Sequence, residues 1–139
     1  MKPTLIVDCS ITMAWCFADE GTHETGRILD RLATEAALVP AHWFLEVANV
    51  LAMAEKRRRI SAADSTQFVR LLSVLDIQVD SESGSRTFDH ILPLCRSHAL
   101  SSYDAAYLDL ALRRHVPLAS LDDDLRRAAA SLGVGVLGK

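Results

Sequence analysis

The chain has 139 residues, 50% hydrophobic and 24% charged, a composition that suits one soluble globule and excludes disorder, collagen and coiled coil. We read residues 1–139 as a single domain, so any active site must be built inside one core. Fifteen Lys and Arg against eighteen Asp and Glu leave a net charge of −3, which excludes nucleic-acid binding by overall charge and confines any such contact to a local patch.

The first charge after the N-terminal apolar run falls at Asp8, too early for a secretory apolar region. Nowhere do the ~18 consecutive apolar residues of a membrane span occur, so a cytoplasmic protein without membrane contact is expected. Cys9, Cys16 and Cys95 are odd in number and form no C-x-x-C pair. They read as small buried hydrophobes, not as a disulfide framework or zinc ligands.

Short β-type runs alternate with stretches of helical period. Thr4–Val7 predicts a first strand, and Ile11–Phe17 a helix after it. A helical segment over Thr22–Thr34 leads into a second strand, Ala37–Pro40, ended by its proline. His42–Arg59 is strongly helical, and Ser61-x-x-Asp64 reads as a capping box opening a helix through Leu75. Ile77–Val79 is a weak third strand, followed by the polar loop Ser81–Ser85. Arg86–Ala99 has helical period but contains Pro93, which must kink the helix or begin a new one. Ser101–His115 is a helix, Pro117–Ser120 a fourth strand, Asp123–Leu132 an alanine-rich helix and Val134–Leu137 a fifth strand. Strands joined by crossover helices pair in parallel and need cover on both faces, so the expected fold is α/β, a three-layer α/β/α sandwich around a central parallel five-stranded sheet.

In such sheets ligands bind beyond the carboxyl ends of the strands, where strand order reverses, so acids at those positions carry the most information. Asp8 directly follows the first strand, as a ligand would, although it or Ser10 also suits the N-cap of the next helix. From Trp43 to Ala54 the only polar side chains are Glu46 and Asn49, which predicts a helix buried all round and a Glu46 that needs a partner. Asp104 lies near the start of its helix, where Ser101-x-x-Asp104 also has capping-box spacing. Asp109, about 140° further round the axis, cannot share a small site with it. Asp122, Asp123 and Asp124 follow the fourth strand, where they answer a helix dipole or hold a divalent cation.

Capping explains each acid singly, but not why two strand ends and a helix expected to be buried each supply one. Convergence on a common site does. Oxygen ligands without histidine or cysteine at ligand spacing select Mg²⁺ or Mn²⁺ over zinc, and such ions sit between carboxylates and a phosphate.

Four motifs in order carry a family resemblance: Ile6-Val7-Asp8-Cys9-Ser10; Glu46 within Trp43 to Leu51; Ser102-Tyr103-Asp104-Ala105-Ala106-Tyr107-Leu108; and Leu118-Ala119-Ser120-Leu121-Asp122-x-x-Leu125. Over almost the whole chain they resemble the acidic motifs of PIN domains, and the length and the Tyr-Asp-Ala-Ala-Tyr string resemble VapC-type toxins of bacterial toxin–antitoxin pairs. The resemblance implies an Mg²⁺- or Mn²⁺-dependent ribonuclease that cuts a single-stranded or loop segment of RNA, is held inactive by a VapB-type antitoxin and forms a homodimer. Asp8, Glu46, Asp104 and Asp122 match the acidic positions, and Ser10 and Ser120 the small hydroxyl positions. Asp8 and Asp104 are then expected as direct metal ligands and Asp122 as ligand to a second or substrate-recruited ion. Glu46 is expected to act through water or to orient the attacking water. Two features depart from the pattern. Asp123 and Asp124 extend the last motif and leave open which acid faces the metal, and Pro93 interrupts the helix before the third.

RNA also needs cations outside an acidic pocket. Lys56-Arg57-Arg58-Arg59, Arg113-Arg114 and Arg126-Arg127 are the candidates, against a reading as solvated helix faces. Trp15, Trp43, Tyr103 and Tyr107 are candidates to stack on bases or to pack in the core. The rival readings are a non-catalytic module of the same fold, and a nuclease of another substrate without an antitoxin.

Overall fold

Five strands and seven α-helices alternate along the chain in the computed structural model, which describes residues 1–139. The strands are β1 (Pro3–Val7), β2 (Ala36–Pro40), β3 (Ile77–Asp80), β4 (Leu118–Ala119) and β5 (Val136–Leu137). They pair in parallel in the order β3-β2-β1-β4-β5. Successive side chains of a strand point to opposite faces, and every residue of β2 and the last three of β1 are buried. Both faces of the sheet are therefore covered, which is the expected three-layer α/β/α arrangement.

The covering helices are α1 (Cys9–Cys16), α2 (His23–Arg31), α3 (Trp43–Lys56), α4 (Ala62–Val74), α5 (Leu92–His98), α6 (Ser102–Arg114) and α7 (Asp123–Ser131). Side chains start most of them. Asp8, Thr22, Ser61, Ser101 and Asp122 each accept a backbone N–H three residues on, satisfying a donor that the helix leaves open. The reciprocal capping box forms at Thr22 and Thr25.

The Pro93 segment resolves into three pieces: a 3₁₀ turn over Gly84–Arg86, a π turn over Thr87–Ile91, and α5 with Pro93 in its first turn. There its missing N–H forfeits no helical bond, so the proline begins a helix and does not kink one. The last two strands are shorter than expected, two residues each, but the pairing continues past them through Leu118 N–H to Gly135 and Ser120 N–H to Leu137. The chain then passes Ser120 closely at Gly138, whose φ is +116°. A Cβ there would lie 2.7 Å from Ile11 Cδ1 and 3.0 Å from the Ser120 carbonyl, so only glycine fits.

One expectation is corrected. Helix α3 is not buried all round: Trp43, Val47, Leu51 and Ala54 form its buried stripe, while Phe44 and Leu45 are 52% and 75% exposed. Its outer apolar side chains, with those of α4, line a groove of about 360 Å³ that includes Phe44, Ala48, Val69 and Leu75. Apolar residues all round a helix do not distinguish core from a surface that another protein covers.

Beyond the apolar core, a network of charges fastens the 3₁₀ turn and the end of β3 to α6. Asp109, 5% exposed at its side chain, receives Arg86 Nε at 2.8 Å and Arg113 Nε at 3.1 Å. Arg113 also reaches Asp80 at 2.9 Å and Glu82 at 3.0 Å. Burial pushes the Asp80 and Asp109 carboxyls up, but the arginine hydrogen bonds outweigh it and hold both below the ordinary carboxylate range. Asp109→Ala leaves Arg86 unpaired and takes one of three partners from Arg113, and is expected to cost about 3 kcal/mol, read as a lower urea midpoint at unchanged slope. A midpoint within error of the parent would show that the network carries no stability.

Candidate active site at the carboxyl edge of the sheet

Strand order reverses at β1, which has β2 on one side and β4 on the other, so the chain segments leaving β1 and β4 open a crevice between them. Asp8 leaves β1 there and is 3% exposed. Its Oδ1 accepts from the Ser10 hydroxyl at 2.6 Å and the Ile11 N–H at 3.1 Å; its Oδ2 accepts from the Ser120 hydroxyl at 2.6 Å. Both serines are themselves fixed, since Ser10 Oγ accepts from Leu121 N–H and Ser120 Oγ from Asp122 N–H. The hydroxyls thus tie the end of β1 to the end of β4 and lock the Asp8 rotamer.

The other three acids come from different elements. Glu46, in the first turn of α3, accepts from the Tyr107 hydroxyl at 2.6 Å, and His42 Nε2 lies 3.6 Å from the same oxygen. Asp104, in the first turn of α6, is not that helix's cap; Ser101 is, which leaves the carboxylate free. Asp122 caps α7 through Oδ2, 2.8 Å from Leu125 N–H. The two acids after it are paired elsewhere, Asp123 with Lys139 and Asp124 with Arg127 at 3.0 Å. Asp122 is therefore the acid of the three that the fold leaves without a cation.

These groups feel one another's charge. Asp104 is pushed up to about 6, first by burial and then by the charges of Asp122, Asp8, Glu46 and Asp124, all of like sign. Burial also raises Asp8, despite its three hydrogen-bond donors, and Glu46 adds to the rise. The donor set is all carboxylate and hydroxyl oxygen, which suits a hard divalent ion and supplies the positive charge that the cluster lacks. As the side chains stand, no three of them are spaced to grip one ion. Asp8 gives both oxygens to serines and Glu46 one to Tyr107.

The sequence did not single out Tyr107 and His42 as partners of Glu46. Tyr107 is three residues after Asp104 and His42 four before Glu46, so helical spacing alone places each beside an acid. Half of the eight proposed cations are engaged within the chain, Arg127 with Asp124 as above. Arg113 is held in the buried network, and Arg126 donates to the Ser120 and Leu137 carbonyls. Arg59 pairs with Asp19 and Glu20 and lies 3.8 Å over the Phe17 ring. Lys56, Arg57 and Arg58 are exposed. All three cysteines are free and half-buried against the core.

A carboxyl raised in the native state favours folding at low pH, and that advantage is lost as pH rises from about 4 to 6. Without divalent ions, Asp104→Asn should therefore be more stable than the parent at pH 7 and equal to it near pH 4. The gain is about 1 kcal/mol, the part-exposed group being screened by solvent. Thermal melts at both pH values check this; equal melting temperatures at pH 7 would show that the acids do not repel one another.

No curated protein matches the chain by sequence. Among solved structures, the PAE2754 protein of Pyrobaculum aerophilum superposes with a TM-score of 0.70 at 21% identity, covering 96% of this chain and 83% of that one. FitAcB from Neisseria gonorrhoeae gives 0.65 at 15% identity, with 95% of each chain covered. VapC20 of Mycobacterium tuberculosis, a sarcin-ricin loop cleaving toxin, gives 0.61 at 15%, covering 90% of this chain and 95% of that one. At these identities the likeness is one of fold. The PIN-domain family model matches residues 5–131, nearly the whole length, and the chain belongs to that family.

Proposed function

We propose that the chain is an Mg²⁺- or Mn²⁺-dependent endoribonuclease and the toxin of a toxin–antitoxin pair, with Asp8, Glu46, Asp104 and Asp122 as its catalytic and metal-holding acids. The supporting observation is the set of carboxylates at the sheet edge, Asp8, Glu46, Asp104 and Asp122, none of them paired with a lysine or arginine, three of which act on Asp104 by their charge. Family membership and the folds of VapC20, FitAcB and a toxin–antitoxin complex from Klebsiella pneumoniae agree with this reading. That last likeness has a TM-score of 0.59 at 18% identity, covering 96% of this chain and 94% of that one.

When bound, Mg²⁺ or Mn²⁺ would lower the pKa of a water and offset charge on the phosphate. Asp8 and Asp104 would hold the ion. Ser10 and Ser120 keep the Asp8 carboxylate in one orientation, the supporting role that outer hydrogen bonds play around metal ligands. Glu46, with Oε1 held by Tyr107, presents its other oxygen to water. Asp122 serves a second or substrate-borne ion from its place at the start of α7. Lys56, Arg57 and Arg58 contact the RNA backbone. The apolar groove of α3 and α4 gives a protein partner, a VapB-type antitoxin or the second copy of a homodimer, a surface to cover. No helix is long and apolar enough to cross a membrane, as suits work on RNA in the cytoplasm.

Asp8→Asn and Asp104→Asn should keep the parent's circular dichroism and lose Mn²⁺-dependent cleavage of RNA by at least about 100-fold, because an amide is a poor neutral ligand. Calorimetry should show weakened Mn²⁺ uptake in both. Full cleavage by either variant would overturn the site, and no growth arrest on expression of the parent alone would overturn the toxin reading. Replacing Arg57 and Arg58 together by Ala should flatten the salt dependence of RNA binding by about two units of log–log slope and leave Mn²⁺ uptake intact. An unchanged slope would remove these residues from the RNA path.

A further inference from the structure

Four aromatic residues stood out in the sequence, and the structure separates one from the rest. Trp43 is buried with its indole N–H on the Thr12 hydroxyl, Trp15 donates to the Thr25 carbonyl, and Tyr107 is buried against Glu46. Tyr103 is 60% exposed, and its hydroxyl has no partner in the chain. Yet it is not loosely held. His42 Nε2 lies 3.1 Å from its backbone carbonyl, and the His42 ring meets the Tyr103 ring edge to face at 5.6 Å and the Tyr107 ring at 5.2 Å.

His42 and Tyr103 form walls of a cleft of about 320 Å³, with Ser83, Thr87 and Ser102 on its lining and buried Ile91 beneath. That volume lies at the small end of ligand pockets, suited to a single ring system. No Asp, Glu, Lys or Arg lines the cleft, so its chemistry favours a neutral, flat occupant over a phosphate. The hydroxyls offer both hydrogen-bonding senses. Ser102 Oγ makes no bond within the chain, while Thr87 Oγ1 donates to the Ser83 and Gly84 carbonyls and keeps its lone pairs. The walls are continuous with the acid cluster: Tyr103 precedes Asp104, and His42 stands one helical turn, about 6 Å, before Glu46.

We propose that this cleft is a nucleobase pocket, in which an unpaired base of the RNA, next to the phosphate at the acids, stacks on Tyr103. The inference rests on the endoribonuclease reading and adds to it a contact with one base beside the cut, which must be unpaired to enter. Stacking supplies affinity for any base, and the Ser102 and Thr87 hydroxyls supply preference among bases.

The test takes a short single-stranded RNA that the parent cleaves and maps the cut. Abasic nucleotides are then placed in turn on either side of it. On one side the abasic nucleotide should lower kcat/KM about 10-fold or more in the parent, and Tyr103→Ala should lower it as much on the intact RNA. The two changes together should add little beyond either alone. In an Asp104→Asn background, where the RNA stays whole, fluorescence anisotropy should show the same loss of affinity on Tyr103→Ala, with most of it regained by Tyr103→Phe. If the parent cleaves RNA but abasic substitution and Tyr103→Ala have no effect, or their effects simply multiply, the pocket is overturned while the nuclease reading stands. If the parent cleaves no RNA, the nuclease reading falls first and the pocket with it.

Discussion

The carboxyl edge of the sheet buries carboxylates that the protein does not neutralise. Asp8 is buried with three donors and no cation, and Asp104 is pushed up to about 6, first by its own burial and then by the charges of other carboxylates. The opposite solution appears at the other end of the same helix. Asp109 and Asp80 are also buried, yet arginines 86 and 113 hold them below the ordinary range. Burial acts alike on both clusters, so the difference in sign comes from the arginines. A fold able to neutralise buried acids on α6 does so at the carboxyl end and omits it at the amino end. The acids left at the amino end, Asp104 and its neighbour Asp8, are raised as a result.

Much of this was legible in the sequence because it depends on local order. A strand followed by an acid, a hydroxyl two residues on and a helix is a pattern of neighbours, and it placed Asp8, Ser10, Ser120 and Asp122 correctly at the sheet edge. Glu46 reached the cluster although the reason given for it failed: α3 is half exposed, and the glutamate's partners are a tyrosine 61 residues away and a histidine one turn back. The arginines were misread for the same cause. Nothing local tells that Arg113 will meet Asp80, 33 residues earlier, or that Arg59 will meet Asp19, 40 residues earlier. Both then leave the surface patch to which their sequence neighbours assigned them. The π turn before α5 was equally hidden, since a proline states where a regular helix cannot continue but not what replaces it.

Capping looked like a rival to the proposed metal holding, and each of three acids keeps an oxygen that no cap uses. Asp122 gives Oδ2 to the α7 cap and keeps Oδ1. Asp8 starts α1 with Oδ1, while Oδ2 serves only the Ser120 hydroxyl, whose rotor can turn away when a stronger charge arrives. Asp104 is spared altogether because Ser101, three residues earlier, takes the cap of α6. A helix N-terminus also stabilises a nearby negative charge through its dipole, so placing three acids at three helix starts lowers the energy of gathering them before any ion binds.

The same economy explains how the fold tolerates the cluster. Helix α6 carries Asp104 and Tyr107 on its first two turns and Asp109 and Arg113 on its later ones. Its middle, Ala105 to Ala111, is buried all round, against the sheet and the neighbouring helices. Repulsion at the amino end would tend to push the helix outward along the crevice. The Arg86–Asp109–Arg113–Asp80 chain fastens its far end to β3 and the 3₁₀ turn, and the Tyr107 hydroxyl fastens its near end to α3. With the helix pinned at both ends, the backbone that positions the carboxylates is held in place against their repulsion.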